Sequence, residues 1–235
     1  TLRESVFNVL NQTPGGASAV VGLAKKGNVK ALAALSSQES TEAANTLLDL
    51  MGSEDKEVAD AARSALQSNH SAAGSEALSG LYFDGNSDEQ LAALEGLRYR
   101  SDERSRSVLL DAAASENPEV QAKGLYGLGW GMADDEVEHL LRDGLRGDGD
   151  VFDAAMSALQ SRSGGIVPDL LSEVLEGDHV TAEQKREAAN ALRQLGGAAA
   201  RDYADLIAQY TEEPKVASDH NPVGIVDETM PLLLE

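Results

Sequence analysis

Apolar and polar positions along this chain repeat at an interval far longer than a helical turn. Residues 55–66 (DKEVADAARSAL) return at 86–97, 117–128 and 148–159, each after 31 residues, and at 181–192 after 33. The closing leucine of each copy falls at Leu66, Leu97, Leu128, Leu159 and Leu192, with Leu35 one step earlier. A second series, Leu47, Leu78, Leu109, Leu140 and Leu171, keeps the 31-residue interval independently. Within each copy the apolar and small residues lie three and four apart, the period of an amphipathic helix. Two such helices per interval cannot bury their stripes alone, so the units must stack. The pattern predicts an all-α fold, an α-α superhelix (solenoid) of about six helix pairs.

The copies also carry matching start signals. Asp55, Asn86, Asn117, Asp148 and Thr181 open the second helix of each pair, and all are residue types whose side-chain oxygen can accept from unpaired first-turn N–H groups. Two residues on stands an acid every time, Glu57, Asp88, Glu119, Asp150 and Glu183, favoured there by the helix dipole. Pro118 occupies a first helical position, where its missing N–H costs nothing. Two columns are uniformly small: Ala62, Ala93, Gly124, Ala155, Ala188, and Ala65, Gly96, Gly127, Ala158, Ala191. Small residues flanking the closing leucine let helix backbones approach closely, and mark the packing seam.

The ends depart from the register. Residues 1–13 read as a short amphipathic helix, followed by helices at 17–26 and 29–36. Gly196-Gly197 stops the last inner helix, and residues 198–212 predict one more. A single repeat domain over 1–212 is therefore expected. From 213 to 235 Pro214, Pro222 and Pro231 exclude another helix pair, while Val223, Ile225, Val226 and Met230 are too apolar for a solvated linker. This irregular tail is expected to fold back over the last repeat; the start of a further domain is the competing expectation.

Composition narrows the function classes. Nineteen basic against 40 acidic residues leave a net charge of −21, which opposes nucleic acid and anionic membrane surfaces. There is no cysteine, and no apolar run approaches a membrane span. The compartment stays open, with the cytoplasm favoured over export, and so does the oligomeric state. The histidines, His70, His139, His179 and His220, lack ligand spacing, so neither a metal nor another cofactor is expected. No Gly-x-Ser-x-Gly elbow or phosphate-cradling glycine loop occurs, and no catalytic residue is assigned.

The segments NPEVQAKGLYGLG and GDGDVFDAAMSALQS resemble the second helix of HEAT repeats, and more closely the short HEAT-like repeats of the phycobilisome-lyase type. The resemblance spans about residues 28–197. It implies second helices lining a concave face and a role as a protein-binding scaffold. Relatives of the deoxyhypusine-hydroxylase kind carry repeated His-Glu pairs, absent here, and DNA-glycosylase-like relatives need a basic concave face. A lyase-like protein or enzyme handling a bilin-type small molecule is one alternative, and a structural module of a larger chain another.

On that face, helical geometry predicts an apolar stripe of Leu94, Leu125 and Met156, with Tyr126 beside it. Glu95 and Asp153 would supply charge, and Trp130 and Tyr99 hold equivalent places at the exit of consecutive inner helices. Aromatic residues are enriched at binding hot spots. The expected activity is thus non-enzymatic binding of a protein or peptide, basic or amphipathic, through Leu94, Glu95, Leu125, Tyr126, Trp130, Asp153 and Met156. The first-turn acids, about 10 Å apart in stacked units, would form a row suited to a basic peptide.

Overall fold

The computed structural model describes residues 15–162, 165–178 and 180–211, together with Val6, Phe7, Val9, Leu10 and Thr13. Six helix pairs follow one another: α1 (Gly16–Ala24) with α2 (Val29–Leu35), α3 (Thr41–Met51) with α4 (Lys56–Gln67), and α5 (Ala72–Asp84) with α6 (Ser87–Leu97). Then come α7 (Glu103–Ala113) with α8 (Pro118–Gly127), α9 (Asp134–Gly144) with α10 (Asp150–Gln160), and α11 (Ile166–Glu176) with α12 (Ala182–Leu195). Two short helices, α13 (Gly197–Asp202) and α14 (Ala204–Thr211), close the series. Asn28, Asp55, Asn86, Asn117 and Thr181 cap α2, α4, α6, α8 and α12 with their side chains. Asn86–Glu89 and Thr181–Gln184 complete reciprocal capping boxes.

The helices form two layers. Each first helix packs on the first helix of the next pair from α1 through α11, and the second helices pack likewise from α2 through α10. At the end, α12 packs against α11 and α14. Leu35, Leu66, Leu97, Leu128, Leu159 and Leu192 are all fully buried, and the outer series from Leu47 to Leu171 is buried with them. The small columns sit where helices meet. A methyl added at Gly124 would lie 2.6 Å from the carbonyl carbon of Ala112, and one at Gly127 within 2.9 Å of Leu109 Cδ1. Backbone therefore lies against backbone between α7 and α8.

A second set of links is polar and buried. Three residues after Leu66, Leu97 and Leu159 the side chain turns back to carbonyls that end the preceding inner helix, satisfying groups no helix can satisfy internally. Asn69 Nδ2 donates to Leu35 O at 3.1 Å and Gln38 O at 2.8 Å. Arg100 donates to Leu66 O and Gln67 O, each at 3.3 Å, to Gly96 O at 2.7 Å and to Ser75 Oγ at 2.9 Å. Arg162 donates to Leu128 O at 2.7 Å, Met132 O at 2.8 Å and Asp134 Oδ1 at 2.6 Å. Gly131 occupies this place in the fourth pair and has no side chain to offer. Beside Arg100, burial alone would raise the Asp102 carboxyl. Hydrogen bonds from Ser105 and Ser75, with the Arg100 charge, outweigh it and hold the carboxyl below its usual range. The stability this supplies is present above the unfolded value and lost as pH falls through the folded one.

Two sequence expectations change. Asp148 is not a cap: α10 starts one place later, with Gly149 at its N-cap and φ of 52°, a conformation suited to glycine. The helix expected over 198–212 is broken at Tyr203 into α13 and α14, after Gly196 and Gly197, both at positive φ. The tail over 213–235 and most of 1–13 lie outside the described residues.

One substitution is expected to act in opposite directions at two glycines. At Gly80, exposed in α5 with nothing within 4 Å of a new methyl, alanine should stabilise the fold by about 0.5–1 kcal/mol. At Gly124 the same change should destabilise it by about 1–3 kcal/mol. Arg100→Met, which keeps much of the volume but strands the carbonyls and Ser75, should lower stability by about 1–3 kcal/mol. Urea unfolding followed by circular dichroism measures all three; equal effects at the two glycines would contradict the packing described.

Candidate functional site

Each inner helix in the middle of the array is covered on three sides, by its outer partner and by the inner helices before and after it. Leu94 is 1% exposed, and Leu125 and Met156 are fully buried. This corrects the apolar stripe expected from helical geometry: those three side chains fill the core and present nothing to a partner. The geometry assumed one buried arc, whereas stacking buries two more. A methyl built on Gly144, in the next outer helix, would lie 2.8 Å from Leu125 Cδ1, which shows how deep this column sits.

What remains uncovered is narrower and more polar. Along α6, α8, α10 and α12 it comprises Leu91 and Glu95, then Lys123 and Tyr126, then Asp153 and Ser157, then Arg186, Glu187 and Asn190, each exposed or half-buried. Glu95 and Tyr126 are thus on this face, together with Asp153. Glu95 pairs with Lys123 across the α6–α8 seam. Arg98 lies 4.8 Å from the centre of the Tyr126 ring and 5.1 Å from that of Tyr99. The first-turn acids Glu57, Asp88, Glu119, Asp150 and Glu183 are all exposed.

Charge accumulates toward the end of this face. Burial, then the charges of Asp153 and Glu183, hold the Glu187 carboxyl above the usual glutamate range. Asp153 is on α10 and Glu187 on α12, so like charges face each other across the last seam. Between the same two pairs lie two recesses. One of about 70 Å³ is bordered by Arg142, Leu145 and Val174, and Arg142 Nε donates to Glu173 at 2.9 Å beside it. The other, of about 210 Å³, is bordered by Gln160, Leu171 and Leu195.

Trp130 and Tyr99 stand on one edge of the array, where the inner helices end, and are 57% and 65% exposed. Trp130 borders a recess of about 440 Å³ with Gly129, Gly131, Asp134, Ser161 and Arg162. On the outer layer, Phe83 borders a shallow groove of about 570 Å³ with Ser75, Ser79 and Asp102. Among the described residues no group of three or more His, Cys, Asp or Glu side chains could hold a metal ion. None of the described helices is long and apolar enough to cross a membrane.

The linking residues Asn69, Arg100 and Arg162 escape a reading by residue type, because the column mixes an amide, guanidinium groups and a glycine. Their signal is positional, the third place after each closing leucine.

Fold and face together define an all-α helical repeat array. No protein-family model matches the chain, and no curated protein matches it. Among solved structures it is similar to an engineered protein from the Northeast Structural Genomics Consortium. The TM-score is 0.44 at 22% identity, over 82% of this chain and 95% of that one.

The Glu187 environment makes a signed prediction. A carboxyl raised in the folded state contributes stability at low pH and loses it as pH rises through the folded value, so at neutral pH the ionised group opposes folding. Glu187→Gln should therefore raise the thermal midpoint at neutral pH. The gain should vanish below about pH 4, where the parent carboxyl is itself protonated. Thermal melts across that range check it; a gain independent of pH would contradict the assignment.

Proposed function

We propose that the chain is a non-enzymatic interaction scaffold of HEAT-like repeats, binding a basic segment of a protein partner along the exposed face of its second helices. The observation that carries this reading is the excess of carboxylate on that face. The first-turn acids are exposed in five consecutive pairs, and burial, then the charges of Asp153 and Glu183, hold the Glu187 carboxyl above the usual glutamate range. A cationic segment would relieve that repulsion, so its binding is favoured by the state of the free protein. Glu95 and Tyr126 extend the face with a carboxylate and an aromatic ring, and Lys123 and Arg98 would set where along it a basic segment runs.

Fluorescence anisotropy of a labelled basic peptide tests this directly. Binding is expected at low salt and should weaken steeply as salt is added. Asp153→Asn with Glu187→Gln should reduce affinity about three- to tenfold. Asp49→Asn with Glu76→Gln, the same charge change on the outer helices, should have a smaller effect. Equal losses from the two pairs would show general electrostatic attraction and remove this face as the site.

A further inference from the structure

The edge of the array where the inner helices end has a consistent chemistry: it receives guanidinium groups. Arg100 and Arg162 lay theirs on the carbonyls ending α4 and α8. Arg98 holds its own over the rings of Tyr99 and Tyr126. Tyr210, at the far end, has Lys185 Nζ 5.4 Å from its ring centre. Trp130 departs from this pattern. Its ring is more than half exposed, and among the described residues no cation lies over it.

The surroundings of Trp130 suit a cation. The adjoining position is Gly131, at φ of 68°, and apart from its chain neighbours no residue comes within 4 Å of where its side chain would begin. In the pairs on either side that position holds Arg100 and Arg162. The recess of about 440 Å³ is bordered on its far side by Asp134, and Asp135 and Glu136 follow in the first turn of α9. Asp134 pairs with Arg162, which borders the same recess, and Glu136 pairs with Arg106, so the charge left over beside the recess is that of Asp135.

We infer that this recess receives the guanidinium of an arginine carried by the basic partner segment, stacked on Trp130 beside Gly131. The inference rests on the scaffold reading above and names the residue type that would anchor the segment at this edge. Arginine fits better than lysine. A planar, weakly hydrated guanidinium can stack on an indole while its N–H groups reach a carboxylate or carbonyl, whereas an ammonium is compact and strongly hydrated. The net charge of −21 draws either cation, so the discrimination falls to the ring.

Trp130 is the chain's single tryptophan, so its emission reports on this recess alone. Oligo-arginine and oligo-lysine amides are titrated while emission and the anisotropy of a peptide fluorophore are followed together. Oligo-arginine should change the emission saturably, with the same midpoint as the anisotropy. Trp130→Leu should weaken oligo-arginine about three- to tenfold and leave oligo-lysine nearly unchanged. Trp130→Tyr, which restores a ring, should recover most of the loss, separating an aromatic role from general disturbance. If oligo-arginine binds by anisotropy with flat emission and is indifferent to Trp130→Leu, the recess is not the anchor and the scaffold reading stands. If neither peptide binds at low salt, both readings fail.

Discussion

The structure depends on how closely successive helices can approach. Alanine and glycine beside each closing leucine bring the inner helices near enough for one continuous core to run the length of the array, although aromatic residues make up only 4% of the chain. A core built this way gains from many short contacts and has little tolerance for added volume. Where backbone meets backbone, as at Gly124 against Ala112, even one methyl exceeds the space. Close approach also buries the ends of the inner helices, whose last carbonyls then need donors. The side chains of Asn69, Arg100 and Arg162 supply them from the next repeat. Apolar stacking and polar linking are thus two consequences of one geometry.

Much of this was legible in the sequence because the repeat multiplies weak signals. One leucine or one Asn cap decides little, but five at a fixed interval identify the pairs, their boundaries and the buried columns. The errors have physical causes. Leu94, Leu125 and Met156 looked like an outward arc when a single helix was considered; stacking on both sides turned that arc inward. Asp148 matched the cap column, yet glycines on both sides of it let the chain enter α10 one place later. The buried links escape a reading by residue type because their column holds an amide at Asn69, guanidinium groups at Arg100 and Arg162, and no donor side chain at Gly131. Glu95, Asp153 and Trp130 are exposed and Tyr126 is half-buried against the core, as suits polar or amphipathic side chains.

The same acids serve structure and surface. Exposed carboxylates in the first turns complement the helix dipoles, and in stacked units they also sum to a negative face. Folding tolerates this until the last seam, where burial, then the charges of Asp153 and Glu183, oppose ionisation of Glu187. Residues that burial excludes from the core therefore define a face richer in acid than in base, and the basic partner proposed above would complement it.

Mapping where such a partner sits tests this account most directly. In a ¹⁵N-labelled titration with a basic peptide, the largest chemical-shift changes should follow the uncovered arc through Asp88, Glu95, Tyr126, Asp153 and Glu187. Shifts concentrated on the outer helices around Phe83 and Asp49, or none at saturating peptide, would contradict it.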